Sequence, residues 1–231
     1  MNTLYQKRFF NNHTHQYKKD LLVNPPRYVQ EELSQLLQLI PPMAKKVIDF
    51  GCGTGRLTIP ILRRGIKVIG IDISNKSLEM LKKNIKEIIP EKKGNFSFAN
   101  RISNEKVKVV VGTDILHHVS LKDIIPEIYN SLQPGGIALF SEPNALNISW
   151  YIYLSLFIDW EAEKGVVNCS QYNLRSLFTR YGFKRVHFIP YGIVPPIFFN
   201  SIPFLQKINY AVARMPIINL FSYRFIIYAE K

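Results

Sequence analysis

Two acids and three glycines carry the first chemical message of this chain. Asp49, Gly51, Gly53 and Gly55 stand in the run Val47-Ile48-Asp49-Phe50-Gly51-Cys52-Gly53-Thr54-Gly55-Arg56, and Asp72 closes Ile69-Gly70-Ile71-Asp72. An apolar run that breaks into glycines lets the backbone turn sharply and approach a ligand with no side chain in the way. Asp72 follows Gly51 by 21 residues, the distance at which a doubly wound fold places a carboxylate to accept from ribose hydroxyls. The dinucleotide fingerprint needs glycine at its sixth place, where Arg56 stands, and Asp49 is awkward beside a pyrophosphate. The set suits an adenosine-type ligand with an ammonium group and no phosphate.

The surrounding pattern supplies the elements that must position these residues. Leu33, Leu36, Leu37 and Ile40 predict a helix over 26–40, ended by Pro41-Pro42. Val47–Phe50 begins the sheet, residues 54–64 read as the first crossover helix and 67–72 as the second strand. A helix from Lys76 to about Ile89 stops at Pro90. Strands follow at Phe96–Phe98 and Val107–Val111, then a helix over 121–132. Leu132-Gln133-Pro134-Gly135-Gly136 reads as a turn launching a strand at Ile137–Ser141, and the last strand is expected at Tyr223–Ala229. Alternation of this kind predicts an α/β fold, doubly wound, with a mostly parallel sheet and helices on both faces.

At this point the residues resemble the class I S-adenosylmethionine-dependent methyltransferases, whose first motif reads acid-x-Gly-x-Gly-x-Gly. Val109-Val110-Val111-Gly112-Thr113-Asp114-Ile115-Leu116-His117-His118 resembles that family's fourth strand and exit loop. Leu132–Phe140 resembles the approach to its fifth strand, and Asn173–Phe183 its last helix and the lead into the sixth. The similarity is good over 44–145 and loose over 170–231. It implies a Rossmann-like seven-stranded sheet in a single domain. Residues 1–40 would form an N-terminal lid, 44–145 the cofactor core, 146–222 substrate-cap insertions with the sixth strand, and 223–231 the final strand. S-adenosyl-L-methionine is the implied cofactor. Its contacts fall on Asp49, Gly51, Cys52, Gly53, Gly55, Asp72, Ile73 and Thr113, and on Asn100, whose amide oxygen would face the adenine amino group in place of the family's usual acid.

Methyl transfer from a sulfonium is an in-line displacement, so positioning and removal of water do most of the work. A base is needed only where the acceptor loses a proton. The catalytic candidates are His117 and His118 at the mouth of the pocket, Glu142 at the end of the fifth strand, and Tyr17 in an aromatic lead-in (Tyr5, Phe9, Phe10) that the resemblance implies is a lid. Some relatives hold a divalent ion in the exit loop. Asp114 and His118 match two of those places, but His117 replaces the intervening acid, so no metal is expected. Asn24-Pro25-Pro26-Arg27 lacks the aromatic that stacks on a flipped base, and its prolines read as a helix start.

Composition bounds the partners. The chain has 231 residues, 47% hydrophobic, with a net charge of +13 and two cysteines, Cys52 and Cys169, which suggests one core and no disulfide framework. Its polar, aromatic opening predicts a cytoplasmic protein, with peripheral membrane contact open. Residues 56–108 hold 13 Lys/Arg against 5 Asp/Glu, a field that suits phospholipid, nucleic acid or a phosphorylated substrate. Ile148–Ile158 and the stretches Ile193–Phe199 and Ile202–Leu205 form an apolar cap, too short or too broken by proline to span a bilayer. A greasy cap beside basic helices fits a small-molecule or lipid-like acceptor, with oxygen favoured as the accepting atom. An RNA or protein substrate and a catalytically silent cofactor-binding subunit stay open; nucleic acid is the lesser reading.

Overall fold

The computed structural model describes residues 3–13, 19–102, 105–157 and 160–231. Its centre is a seven-stranded sheet in the order β3-β2-β1-β4-β5-β7-β6. The strands are β1 (Lys46–Phe50), β2 (Lys67–Ile71), β3 (Phe96–Ala99), β4 (Val107–Thr113), β5 (Leu132–Pro143), β6 (Lys184–Tyr191) and β7 (Arg224–Glu230). Strands β1 to β5 pair in parallel, whereas β7 runs antiparallel between β5 and β6. The helices are α1 (Thr3–His13), α2 (Asp20–Val23), α3 (Arg27–Gln38), α4 (Thr58–Arg63), α5 (Asn75–Ile88), α6 (Leu121–Ser131), α7 (Ile148–Phe157), α8 (Trp160–Glu163), α9 (Gln171–Arg180) and α10 (Pro203–Ala213).

The two-residue period of the strands divides the core. Val47, Val109 and Val111 face α3, α4 and α5 through Leu36, Ile61 and Leu81. Ile48, Val110 and Phe140 face α6 and α9 through Ile125, Ile128 and Phe178. Both faces of the central strands are therefore dry, which is why they read as continuous Val/Ile runs. The sheet order turns back beside β1, so the carboxyl ends of β1 and β4 diverge there and leave a crevice.

Two expectations change, and one short helix is added. The first crossover helix spans Thr58–Arg63 rather than 54–64, because the glycine loop occupies its start and Gly65, at φ +79°, ends it. Leu132 already pairs with Val107, so β5 begins there; Gln133–Gly136 bulge out before Ile137 resumes opposite Val109. The short helix α2 has too few residues to show a period.

Candidate active site

The loop after β1 is pinned to β2 from beneath. Gly51 and Cys52 N–H both donate to the Ile71 carbonyl (2.8 and 3.0 Å), and Gly53 N–H donates to Asp72 Oδ2 at 2.9 Å. Gly51 sits at φ +74°, and a Cβ there would lie 2.4 Å from the Ile115 side chain. At Gly53 a Cβ would meet nothing within 4 Å, so this glycine opens onto the cavity. Gly55 is different: its Cβ would strike Leu81 at 2.6 Å. It permits close packing of α5 and is not on the cavity wall, contrary to its expected ligand contact.

One cavity of about 370 Å³ gathers most of the other expected residues: Asp49, Gly51, Cys52, Gly53, Asp72, Ile73, Asn100, Thr113 and His118. Cys52 contributes backbone, since its thiol packs into the core against Gly70. The Asp72 oxygens accept from Gly53 and Ser74 N–H groups, leaving lone pairs for a further donor. Burial raises the Asp72 pKa, against those two hydrogen bonds. Asn100 donates through Nδ2 to the Asp72 carbonyl and to Asn75 Oδ1 (3.0 and 2.9 Å), which commits its nitrogen and leaves the amide oxygen as the acceptor. Asp49 is 1% exposed and accepts from Thr58 Oγ1 at 2.5 Å. Burial, opposed by that hydrogen bond and aided by the charge of Asp72, lifts its pKa to about 7. A cation delivered beside it would reverse that shift.

The other side of the cavity is an ion network that sequence reading missed. Arg56 bridges Glu32 and Asp114 (2.9 and 3.0 Å), and Arg224 bridges the same two acids (3.1 and 2.7 Å). Partial burial works against ionising Asp114, but Arg224 and Arg56 hold its carboxyl well below the usual range. Asp114 also takes φ +54°, a strained conformation for a non-glycine residue. It is therefore committed to the two arginines. Arg56, which broke the fingerprint, was the visible hint of this network. Arg224 lies 110 residues from Asp114 and gave no local signal.

His117 and His118 part company. His118 lines the cavity, edge-on to Phe10 with ring centroids 5.0 Å apart. Its Nδ1 lies 3.2 Å from the Ala162 carbonyl; a carbonyl only accepts, so Nδ1 carries the proton and Nε2 the lone pair. Burial and the charge of His117 lower its pKa to about 4. His117, expected at the pocket mouth, lies beneath it at 3% exposure, with Nδ1 2.6 Å from Glu142 and Nε2 3.1 Å from Glu163. Burial alone would lower its pKa, but the two carboxylates hold it at about 10. Glu142 is off the cavity too: its Oε1 accepts from the N–H groups of Ile115 and Leu116, fixing the exit loop of β4. Glu163, on α8, went unnoticed in sequence. Tyr17 lies outside the described residues, although α1 does reach the cavity through Phe10 and binds Ser74 Oγ through Asn11 Oδ1.

The family model of the Methyltransferase domain matches residues 25–187. An uncharacterized methyltransferase of Mycobacterium tuberculosis is 31% identical over 113 residues, 48% of this chain and 44% of its own. A ubiquinone biosynthesis O-methyltransferase of Pasteurella multocida is 32% identical over 123 residues, 48% of this chain and 51% of its own. The chain thus spans about half the length of these curated relatives. Among solved structures, a possible histamine N-methyltransferase of Thermotoga maritima superposes with a TM-score of 0.66 at 17% identity, covering 98% of this chain and 99% of that one. Phosphoethanolamine N-methyltransferase 2 of Haemonchus contortus, bound to S-adenosyl-L-methionine, gives 0.64 at 15% identity over 97% and 59%. With the family match spanning more than half the chain, this protein belongs to the class I S-adenosylmethionine-dependent methyltransferases, enzymes whose cofactor is S-adenosylmethionine.

Proposed function

We propose that this protein methylates a lipid-like acceptor met at an anionic membrane surface, with oxygen favoured as the accepting atom. S-adenosylmethionine supplies an electrophilic methyl group on a sulfonium. The residues present suit it: Asp72 has acceptor lone pairs for ribose hydroxyls, Gly53 leaves room for the ligand, and Asp49 is a buried carboxylate without a cationic partner among the described residues. Asn100, Ile73 and Thr113 would border the nucleoside. His118 is the cavity-wall group able to take a proton from an acceptor hydroxyl, and Glu142 and His117 would position it through the loop they fix.

The acceptor class rests on one observation. Among the described residues, 24 large apolar side chains are exposed, and 19 of them fall between Leu146 and Phe221. Helix α7 (ISWYIYLSLF) is apolar on every side, yet Ile148, Ile152 and Leu156 stand 72%, 54% and 66% exposed. An all-apolar helix is stable only where something covers it. No helix among the described residues is long and apolar enough to cross a membrane, so an interfacial seat fits this face better than a span. Residues 192–223 contain no Asp or Glu but include Lys207 and Arg214, a charge balance that favours anionic headgroups. The cap is tied to the cavity wall, since the Tyr191 hydroxyl donates to the Tyr28 carbonyl at 2.9 Å.

Vesicle flotation tests this reading. Protein should float with phosphatidylserine-containing vesicles, and Phe198→Ser/Phe204→Ser should release it without loss of S-adenosylmethionine binding. Failure to float with any vesicle would remove the membrane surface from the account. The basic stretch 56–108 favours a second reading, an RNA or protein acceptor, whose mark is tight polyanion binding that falls steeply with salt.

A further inference from the structure

The cluster at the cavity wall and beneath it has the ligand types of a transition-metal site. His117 Nε2 and Glu163 Oε2 are 3.1 Å apart, and His118 Nε2 and Glu163 Oε1 are 3.8 Å apart. One ligand atom from each of the three residues lies within 4.8 Å of the others. Tetrahedral zinc with bonds of about 2.0–2.2 Å places neighbouring ligand atoms roughly 3.3–3.6 Å apart, so small side-chain shifts, with zinc displacing the His117 Nε2 proton directed at Glu163, would close the triangle on an ion. The outer partners are also in place. A metal-binding imidazole normally donates its other nitrogen to a carboxylate or carbonyl. His117 gives Nδ1 to Glu142, and His118 gives Nδ1 to the Ala162 carbonyl. Both imidazoles therefore have Nε2 on the Glu163 side.

A separate feature points the same way. Gln6 is 1% exposed and donates Nε2 to that same Ala162 carbonyl at 2.8 Å, while its Oε1 is buried and accepts nothing among the described residues. A metal-bound water is a donor of the kind this acceptor lacks. The alternative grouping of His117, Glu142 and Cys169 is weaker, because both Glu142 oxygens already accept hydrogen bonds.

We propose that His117, His118 and Glu163 bind a divalent ion of the zinc class, with Glu142 and the Ala162 carbonyl orienting the two imidazoles. Nitrogen ligands select zinc or cobalt over magnesium or calcium. Glu163 is 20% exposed on its side chain, which gives an ion a way in. This set differs from the Asp114–His118 places considered from sequence; it leaves the acceptor class untouched but, with an ion bound, replaces the proton-accepting role given to His118 above. A loaded ion would occupy the His118 lone pair, so an acceptor proton would then leave by another route.

The test uses the whole chain, stripped with chelator and titrated with Zn²⁺ and Co²⁺. The expected result is one zinc retained per chain after gel filtration, and intense visible Co²⁺ bands of tetrahedral type that zinc displaces. His118→Gln and Glu163→Gln should each weaken zinc binding at least 100-fold, and Glu142→Gln by 10–100-fold, at unchanged circular dichroism. No retained zinc and no Co²⁺ band in wild type would overturn the proposal. So would stoichiometric zinc that both first variants leave undisturbed. Should the variants misfold, imidazole ¹⁵N NMR of wild type decides. A His117 ring protonated on both nitrogens in excess zinc contradicts the site, and a metal-shifted Nε2 supports it.

Discussion

The two halves of this molecule treat apolar residues in opposite ways. Between Lys46 and Pro143 the Val/Ile runs disappear into a sheet covered on both faces, and Val47, Ile48, Val109, Val110 and Leu139 are each 0% exposed. Between Leu146 and Phe221 the residues are as apolar but many stay in solvent, Phe204 at 70% and Ile217 at 75%. The first half is complete as a folded object. The second carries a face that gains only when something apolar meets it. The cofactor half should therefore be sensitive to single substitutions in folding and ligand affinity, and the cap should be tolerant in folding but sensitive in partner binding.

The sharpest way to break this contrast is Gly51→Ala. A side chain at φ +74° that meets Ile115 at 2.4 Å combines backbone strain with overpacking, and should cost about 2–4 kcal/mol. Chemical denaturation measures it, and a loss below about 1 kcal/mol would mean the loop is looser than described. Next is Asp72→Ala. Losing a carboxylate that accepts from two backbone N–H groups and offers lone pairs to ribose should weaken S-adenosylmethionine by ~1–3 kcal/mol. Calorimetry reads this directly, with NAD as the ligand expected not to bind.

Smaller still is a pH effect from Asp49. Its folded pKa of about 7 stands above the ordinary 3.8, so the folded chain holds this proton more tightly than the unfolded one. The group thus favours the fold at acid pH, and that contribution is lost as pH rises from 3.8 to about 7. Cofactor affinity should run the other way, because a cation needs the carboxylate. It should fall by at most about tenfold per unit below pH 7, and Asp49→Asn should flatten that dependence. The smallest expected change is in the cap: Phe204→Ser should alter stability by less than about 0.5 kcal/mol and yet reduce vesicle binding. A large destabilisation there would show that Phe204 completes a core, and the two halves would no longer differ in kind.

The same division governs what could be read from sequence. The glycine loop and Asp72 were legible because their geometry is local: the 21-residue step from Gly51 to Asp72 makes one loop, one short helix and one strand. Asn100 and Thr113, implied only by the family resemblance, line the same cavity. Gly55 was assigned to the ligand although its missing Cβ serves Leu81, since spacing alone cannot say which way a glycine faces. His117 and His118 are adjacent in sequence and were placed together at the mouth. A short 3-10 turn over Leu116–His118 sends one ring to the cavity and the other down to Glu142. Glu163 and Arg224 were invisible because they reach the site only through the fold of the cap and the antiparallel insertion of β7. Both depend on contacts between residues far apart in the chain.

Most direct is a methyl-transfer assay with methyl-labelled S-adenosylmethionine and a whole-cell extract, divided afterwards into organic-soluble, aqueous and acid-precipitable fractions. The predicted result is label in the organic phase, enhanced by anionic vesicles and lost in Asp72→Ala. Label in acid-precipitable RNA or protein, with none in the organic phase, would contradict a lipid-like acceptor and hand the basic stretch 56–108 the role assigned here to the cap.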